Sequence, residues 1–371
     1  MKIGIITMFH NSSNYGGVLQ AYALTKFLRN EGIIAEQICY NNFSAFSLKR
    51  RFFLLIKRVY LVGKSLKHLI IIFKICKRNK IFKINAKKII PHSSKIYNER
   101  NIKNCNKIYD GFITGSDQVW HGEWPAYFLS FANSDKKKVA YSVSCGKNVL
   151  LQSDLTKIKR YALDFNAISV REIETQKQLQ DLFPDRKIEL LLDPTLLLNS
   201  NDWDEITAPR KIKEKYIFCY FLGNDCKIRN LAKEYSDANS LILVSIPHMQ
   251  NFIEKSDLNF GDVQLYNANI QDFLSYIKNA EMIFTDSFHA SVFSLVFHKQ
   301  FITFERIKHK EMNNRIETLM SLFNTKERFL HENQFSLNTI KNLESINYLT
   351  SFSDFEDRKK QSISFLKDNL L

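Results

Sequence analysis

The chain has 371 residues, 45% of them hydrophobic and 25% charged, a composition that excludes a disordered or fibrous polymer and leaves room for two cores. Its net charge of +15 is placed unevenly: no Asp or Glu lies between Gln37 and Asn98, while Lys49–Lys88 holds fourteen Lys or Arg residues. The six cysteines are scattered without a CxxC pair, which argues against a disulfide framework or a zinc site and for free thiols in a reducing cytoplasm.

Met1–Phe9 is too short for a secretory apolar region and runs into a polar loop, so it is expected to be a first strand rather than a targeting signal. Asn11–Gly17 reads as a loop, and Val18–Arg29 places Val18, Leu19, Tyr22, Phe27 and Leu28 at helical spacing. Strand, glycine loop and helix form the opening of a Rossmann-like unit, without the GxGxxG of a dinucleotide site. Gly16 and Gly17 either let a ligand approach the backbone or simply make a tight turn.

Phe43–Lys88 is the unusual segment. Lys57, Lys64, Lys67, Lys74 and Arg78 share one helical stripe, and apolar residues fill most of the remainder. Its longest unbroken apolar run is five residues, far short of a membrane span. A basic amphipathic helix lying on anionic lipid fits this composition. The plainer possibility is a helix that packs its apolar face on the domain and shows its lysines to water. No nucleic-acid motif accompanies the charge, and no nucleic-acid partner is expected.

The spacing predicts strands at Ile108–Thr114, Val139–Val143, Ala167–Val170 and Lys187–Leu192, alternating with helices at Leu155–Leu163 and Ile173–Phe183. Leu197–Lys215 looks like a domain boundary. A second set follows, with strands Tyr216–Leu222, Ser240–Ile246, Val263–Tyr266 and Gln300–Phe304, and helices Lys227–Tyr235, Ile270–Asn279 and Glu311–Phe323. Within it, Met282–Phe297 reads as a short strand, the polar turn Thr285-Asp286-Ser287 and a helix from Phe288. His289 then falls in the first helical turn, beside free backbone N–H groups, where α/β proteins place anionic ligands. Asp286 is the expected helix cap. Helices near Phe335–Leu343 and Asp354–Leu370 end the chain. The expected class is α/β, with two Rossmann-like domains facing a cleft: residues 1–198, 199–330, and C-terminal helices 331–371 that cross back to the first domain.

Taken in order, NYGGVLQAYAL (14–24), GSDQVW (115–120), SVRE (169–172), LDPTLLL (192–198) and TDSFHASVFSLVF (285–297) resemble the polysaccharide pyruvyl transferase family, from residue 1 to about 325. The basic segment and the last 45 residues carry no family motif. The resemblance implies a glycosyltransferase-B-like fold and a metal-independent enzyme with no cofactor. Such an enzyme moves pyruvate from phosphoenolpyruvate onto a sugar, as a ketal bridging two hydroxyls of a capsular, exopolysaccharide or cell-wall intermediate. A lipid-linked acceptor would suit a cytoplasmic protein held at the inner membrane face through residues 49–88. The resemblance also places Arg171 at the donor. It shows one departure: where members carry Arg-x-His, this chain has Ser287, and Arg306 is the candidate for the missing cation.

Binding a phosphate and a carboxylate calls for guanidinium forks, a histidine and helix starts. His289 is the candidate for donor phosphate binding or acid catalysis, and Asp117 for acceptor binding or base catalysis, with Gln118 orienting sugar hydroxyls. Arg171, Arg306, Asn14, Gly16, Gly17, Ser116, Gln118 and Ser287 are the expected substrate-binding set, and Glu305 is a further base candidate. A nucleotide-sugar glycosyltransferase would use the same architecture. So would a non-catalytic relative.

Overall fold

The computed structural model describes residues 1–41, 66–122, 124–249 and 253–370. Its first unit is built from β1 (Lys2–Ile6), α1 (Tyr15–Asn30), β2 (Ile34–Tyr40), α2 (Leu66–Ile89), β3 (His92–Tyr97), β4 (Gly111–Thr114) and β5 (Lys137–Val143). It continues through α3 (Gln152–Ala162), β6 (Ala167–Val170), α4 (Ile173–Leu182) and β7 (Ile188–Leu190). These seven strands form one parallel sheet in the order β3-β2-β1-β4-β5-β6-β7.

The second unit holds β8 (Tyr216–Tyr220), α5 (Cys226–Ala238), β9 (Ile242–Ser245), β10 (Val263–Gln264), α6 (Ile270–Lys278), β11 (Met282–Thr285) and α7 (Phe288–Val296). It closes with β12 (Phe301–Phe304), α8 (Asn314–Leu322) and β13 (Phe329–Leu330). Its six parallel strands run β10-β9-β8-β11-β12-β13. The last helix, α9 (Phe355–Leu370), returns to the first sheet. There Phe365 meets the Tyr141 ring of β5, and the Leu192 N–H donates to Ser362 Oγ at 3.2 Å.

Strand order reverses direction in each sheet, between β1 and β4 in the first and between β8 and β11 in the second. The loops that leave neighbouring strands there diverge to opposite faces and open a crevice, the usual ligand position in open α/β sheets. Strands buried on both faces explain the continuous apolar runs of IFCY and MIFT. α7 is buried on every side from Phe288 to Leu295, in keeping with its largely apolar sequence, FHASVFSLV.

One apolar cluster runs from Ile3, Val18 and Leu24 through Leu196 and Trp203 to Phe273, Phe293 and Leu319, so a common core joins the two units. Tyr15 is its wedge. Leading α1 of the first unit, it stacks on Phe273 of the second at 4.4 Å and donates its hydroxyl to the Ala268 carbonyl at 2.7 Å.

The basic segment departs from its expected orientation. Lys57 and Lys64 lie outside the described residues, as does the side chain of Lys67. Arg78, expected on the outward stripe, is only 2% exposed. It donates to Met249 O at 2.7 Å and lies over the rings of Tyr15 and Phe82. Lys74 is half-buried over the Tyr266 ring at 3.6 Å. The buried stripe of α2 is therefore Ile75, Arg78, Phe82 and Ala86, and the outward face carries Phe73, Lys77, Lys80, Lys83, Ile84, Lys87 and Lys88. The Met249 carbonyl of the second unit and the ring of Tyr15 on α1 draw Arg78 inward, and spacing along one helix cannot foresee them. Among the described residues no helix is long and apolar enough to cross a membrane.

Candidate active site

The two crevices meet where α1 and α7 start. Asn14 caps α1, its Oδ1 accepting the N–H groups of Gly16 at 3.0 Å and Gly17 at 3.5 Å. A Cβ on Gly16 would lie 1.9 Å from His289 Nδ1, and one on Gly17 would lie 3.5 Å from Asp117 Oδ2. The missing side chain of Gly16 leaves room for the imidazole of the other unit, a demand for glycine that neither sequence reading named.

His289 is 6% exposed, and its Nε2 lies 3.7 Å from Asp193 Oδ2. That is an ion-pair distance, too long for a hydrogen bond. Among the described residues Nε2 has no hydrogen-bond partner. The helix that carries it is capped by Ser287, whose Oγ accepts the Ala290 N–H at 3.5 Å. Asp286, the expected cap, instead accepts the backbone N–H groups of Leu222 and Gly223, both at 2.7 Å, and so ties β11 to the loop after β8. Ser287 thus supplies a cap and no cation. Arg306, after β12, donates from Nε to the Asp286 carbonyl at 3.0 Å. With Asp286 and Glu305 it lines a cleft cavity of about 390 Å³.

Arg171 is the electrostatic hub. It follows β6, is 3% exposed, and donates to three carboxylates: Asp193 at 2.6 Å, Asp117 at 3.0 Å and Glu172 at 3.2 Å. Direct contact between Arg171 and a donor anion therefore requires a carboxylate to give way, and the geometry assigns this arginine to holding the carboxylates. Ser116, fully buried, donates from Oγ to the Ser142 carbonyl at 2.7 Å and also lies 3.1 Å from Asp193. It belongs to the same buried network. Asp117 holds a left-handed φ of 67°, uncommon outside glycine, asparagine and aspartate, which points its carboxylate between Arg171 and the Gly17 helix start. Gln118 is half-buried against Gly146, its Nε2 without a hydrogen-bond partner among the described residues.

The carboxyls are shifted in opposite directions. Burial pushes Asp193 up, but His289 and Arg171 outweigh it and hold the group well below the ordinary range. Burial likewise raises Asp117, and Arg171, His289 and Arg315 bring it below its usual value. Burial prevails at Glu172, which is raised despite Arg171. Two carboxyls held below their ordinary range and one raised above it thus surround a single guanidinium. All three are held by Arg171, and among the described residues no His, Cys, Asp and Glu group of three or more could hold a metal ion.

Asp193 and Arg315 were not among the sequence candidates. Asp193 had a signal, an Asp-Pro closing the β7 strand inside the LDPTLLL motif. Arg315 had none: it sits in the first turn of an ordinary amphipathic helix.

The model of the polysaccharide pyruvyl transferase family matches residues 14–308. Among solved structures the fold is similar to the UDP-GlcNAc 2-epimerase of Methanocaldococcus jannaschii, at 11% identity and TM-score 0.56 over 99% of this chain and 100% of that one. The same organism's UDP-GlcNAc 2-epimerase in complex with UDP-GlcNAc and UDP is similar at 13% identity and TM-score 0.53, with 99% and 100% covered. No curated protein matches the chain by sequence. The structural likeness shows the fold, which is glycosyltransferase-B-like with two Rossmann-like domains facing a cleft. With its model matched over most of the length and its motifs gathered at one cleft, the chain belongs to the polysaccharide pyruvyl transferase family.

Proposed function

We propose that this transferase moves pyruvate from phosphoenolpyruvate onto two hydroxyls of a sugar in a capsular, exopolysaccharide or cell-wall intermediate, forming a cyclic ketal and releasing phosphate. The observation that carries this reading is the meeting of His289, whose Nε2 has no hydrogen-bond partner among the described residues, with Asp117 across the start of α1. The chemistry needs one group to give a proton and one to take it.

In this reading a proton passes from His289 to the methylene carbon of the donor, and positive charge develops at the neighbouring carbon. A sugar hydroxyl adds there as Asp117 takes its proton. The bond from that carbon to the phosphate oxygen then breaks, and the second hydroxyl closes the ketal, its proton leaving with phosphate. Gln118 orients the acceptor. Asp193 holds the imidazole in place, and Arg171 keeps Asp117 and Asp193 ionised. The donor enters without a further cofactor.

Thermal denaturation tests the donor. Phosphoenolpyruvate at about a hundred times its dissociation constant adds roughly 2.7 kcal/mol, a shift of several degrees in the unfolding midpoint. A response to nucleoside diphosphates alone would replace this reading with a nucleotide-sugar glycosyltransferase. No response to either would leave a non-catalytic relative.

The acceptor in this reading is lipid-linked, and the protein meets an anionic cytoplasmic membrane face through α2. The outward residues Phe73 and Ile84 are 69% and 58% exposed, interleaved with Lys77, Lys80, Lys83, Lys87 and Lys88. Apolar side chains among lysines suit an anionic headgroup layer. Each lysine near such a surface contributes about 1 kcal/mol. Reversing Lys77, Lys80 and Lys87 to Glu should then lower cosedimentation with phosphatidylserine vesicles at least a hundredfold. Binding that survives the reversal, or that ignores lipid charge, would remove the membrane from this reading.

A further inference from the structure

The fold brings one cation to the cleft that no motif announced. Arg315, in the first turn of α8, is 8% exposed, yet its side chain's only hydrogen bond among the described residues is a long one, Nε to Met312 O at 3.4 Å. The other buried arginines are better provided. Arg171 has three carboxylates, Arg229 holds Asp257 at 2.7 Å, and Arg78 donates to Met249 O at 2.7 Å. Among the described residues no carboxylate lies within ion-pair distance of Arg315.

Its neighbours are also cations. Arg306 touches the same Met312, with Nη1 at 3.9 Å from the sulfur, and its backbone N–H donates to Asn313 Oδ1 at 3.2 Å, which ties it to the start of α8. The Phe288 ring, next to His289, carries Arg171 Cζ at 4.5 Å and Arg315 Cζ at 5.9 Å from its centroid. Burial, and then Arg171 and Arg306, push Arg315 down to about 9, so it is still charged at neutral pH. Asp117 and Glu172 are the acidic groups that act on it, and both are already held by Arg171.

Burying an unpaired guanidinium beside two others is unfavourable in the free protein, and a bound anion would reverse that. We infer that Arg315, with Arg306 beside it, is the anion seat of this site, receiving a phosphate or carboxylate group of the substrate next to Phe288 and His289. The seat stands on this geometry; only the identity of its anion rests on the pyruvyl-transfer reading.

The test uses Arg315→Met and Arg315→Lys in the full chain, with isothermal calorimetry against phosphoenolpyruvate, inorganic phosphate and UDP, and thermal midpoints without ligand. A seat predicts that Arg315→Met keeps or raises the ligand-free midpoint while its affinity for whichever anion the wild type binds falls about tenfold or more. Arg315→Lys should fall between. Sensitivity of UDP or phosphate binding, in a protein that ignores phosphoenolpyruvate, would keep the seat and overturn the donor reading. Unchanged affinity, a lowered ligand-free midpoint, or a wild type that binds none of the three anions would overturn the seat.

Discussion

Replacing Arg171 with methionine is expected to cost about 3–5 kcal/mol of folding stability, the penalty for removing one partner of a buried ion cluster. The side chain, Glu172 and Asp193 are almost wholly withdrawn from water and Asp117 is mostly so, so solvent poorly replaces the lost cation. The loss should depend on pH in a defined direction. Asp117 and Asp193 are held below their unfolded values, so they bind fewer protons folded than unfolded. Their stabilisation is present above about pH 4 and is lost as pH falls through the folded values. In Arg171→Met burial is opposed only by His289 and Thr195 at Asp193 and by His289 and Arg315 at Asp117, so both groups are held less far down and the variant has less to lose where they are protonated. The difference from wild type in urea-midpoint measurements should therefore shrink between pH 7 and pH 3. Glu172, already raised, opposes folding as pH rises past about 4.3 in both proteins, and losing Arg171 raises it further, which widens the gap at higher pH in the same direction. A stability gap independent of pH would mean that Arg171 acts through packing rather than charge.

The fold was legible in the sequence where local signals agreed with one another. Met282–Phe297 offered a short β-rich run, a polar break and an apolar helix, and these became β11, the turn and α7. β3 escaped notice because it is an edge strand with a mostly exposed, polar sequence, HSSKIY, and no hydrophobic face to announce it. The cap at α7 turned on a choice between two adjacent residues that cap equally well. Amides from Leu222 and Gly223, more than sixty residues away, drew Asp286 aside and left the role to Ser287. The same limit governed the charges. Sequence spacing identifies a basic helix or a polar turn, but the pairing of Arg171 with Asp193, or the lack of a carboxylate within ion-pair distance of Arg315 among the described residues, is settled by loops brought together by the strand order.

His289→Gln should lower turnover by about a hundredfold or more, the contribution of a positioned proton donor, while the fold survives. Glutamine keeps the space beside Gly16 filled, and Asp193 retains Arg171 and the Thr195 hydroxyl at 2.7 Å, so the buried network stays paired. Gly16→Ala tests the same contact from the other side. In an isolated helix alanine is favoured over glycine by about 1 kcal/mol, so a stabilised variant would mean that α1 and His289 are not in contact. The observed geometry demands the reverse. A methyl 1.9 Å from Nδ1 must push the imidazole or the start of α1 aside, at a cost of about 1–3 kcal/mol. The displaced imidazole leaves Asp193 and Asp117, so Gly16→Ala should lose turnover nearly as fully as His289→Gln. Because both changes act on one imidazole, combining them should reduce turnover little beyond the worse single variant. Phosphate release from phosphoenolpyruvate, measured for the two single variants and the double, decides it: multiplicative losses would separate Gly16 from His289 and break the proposed site at its centre.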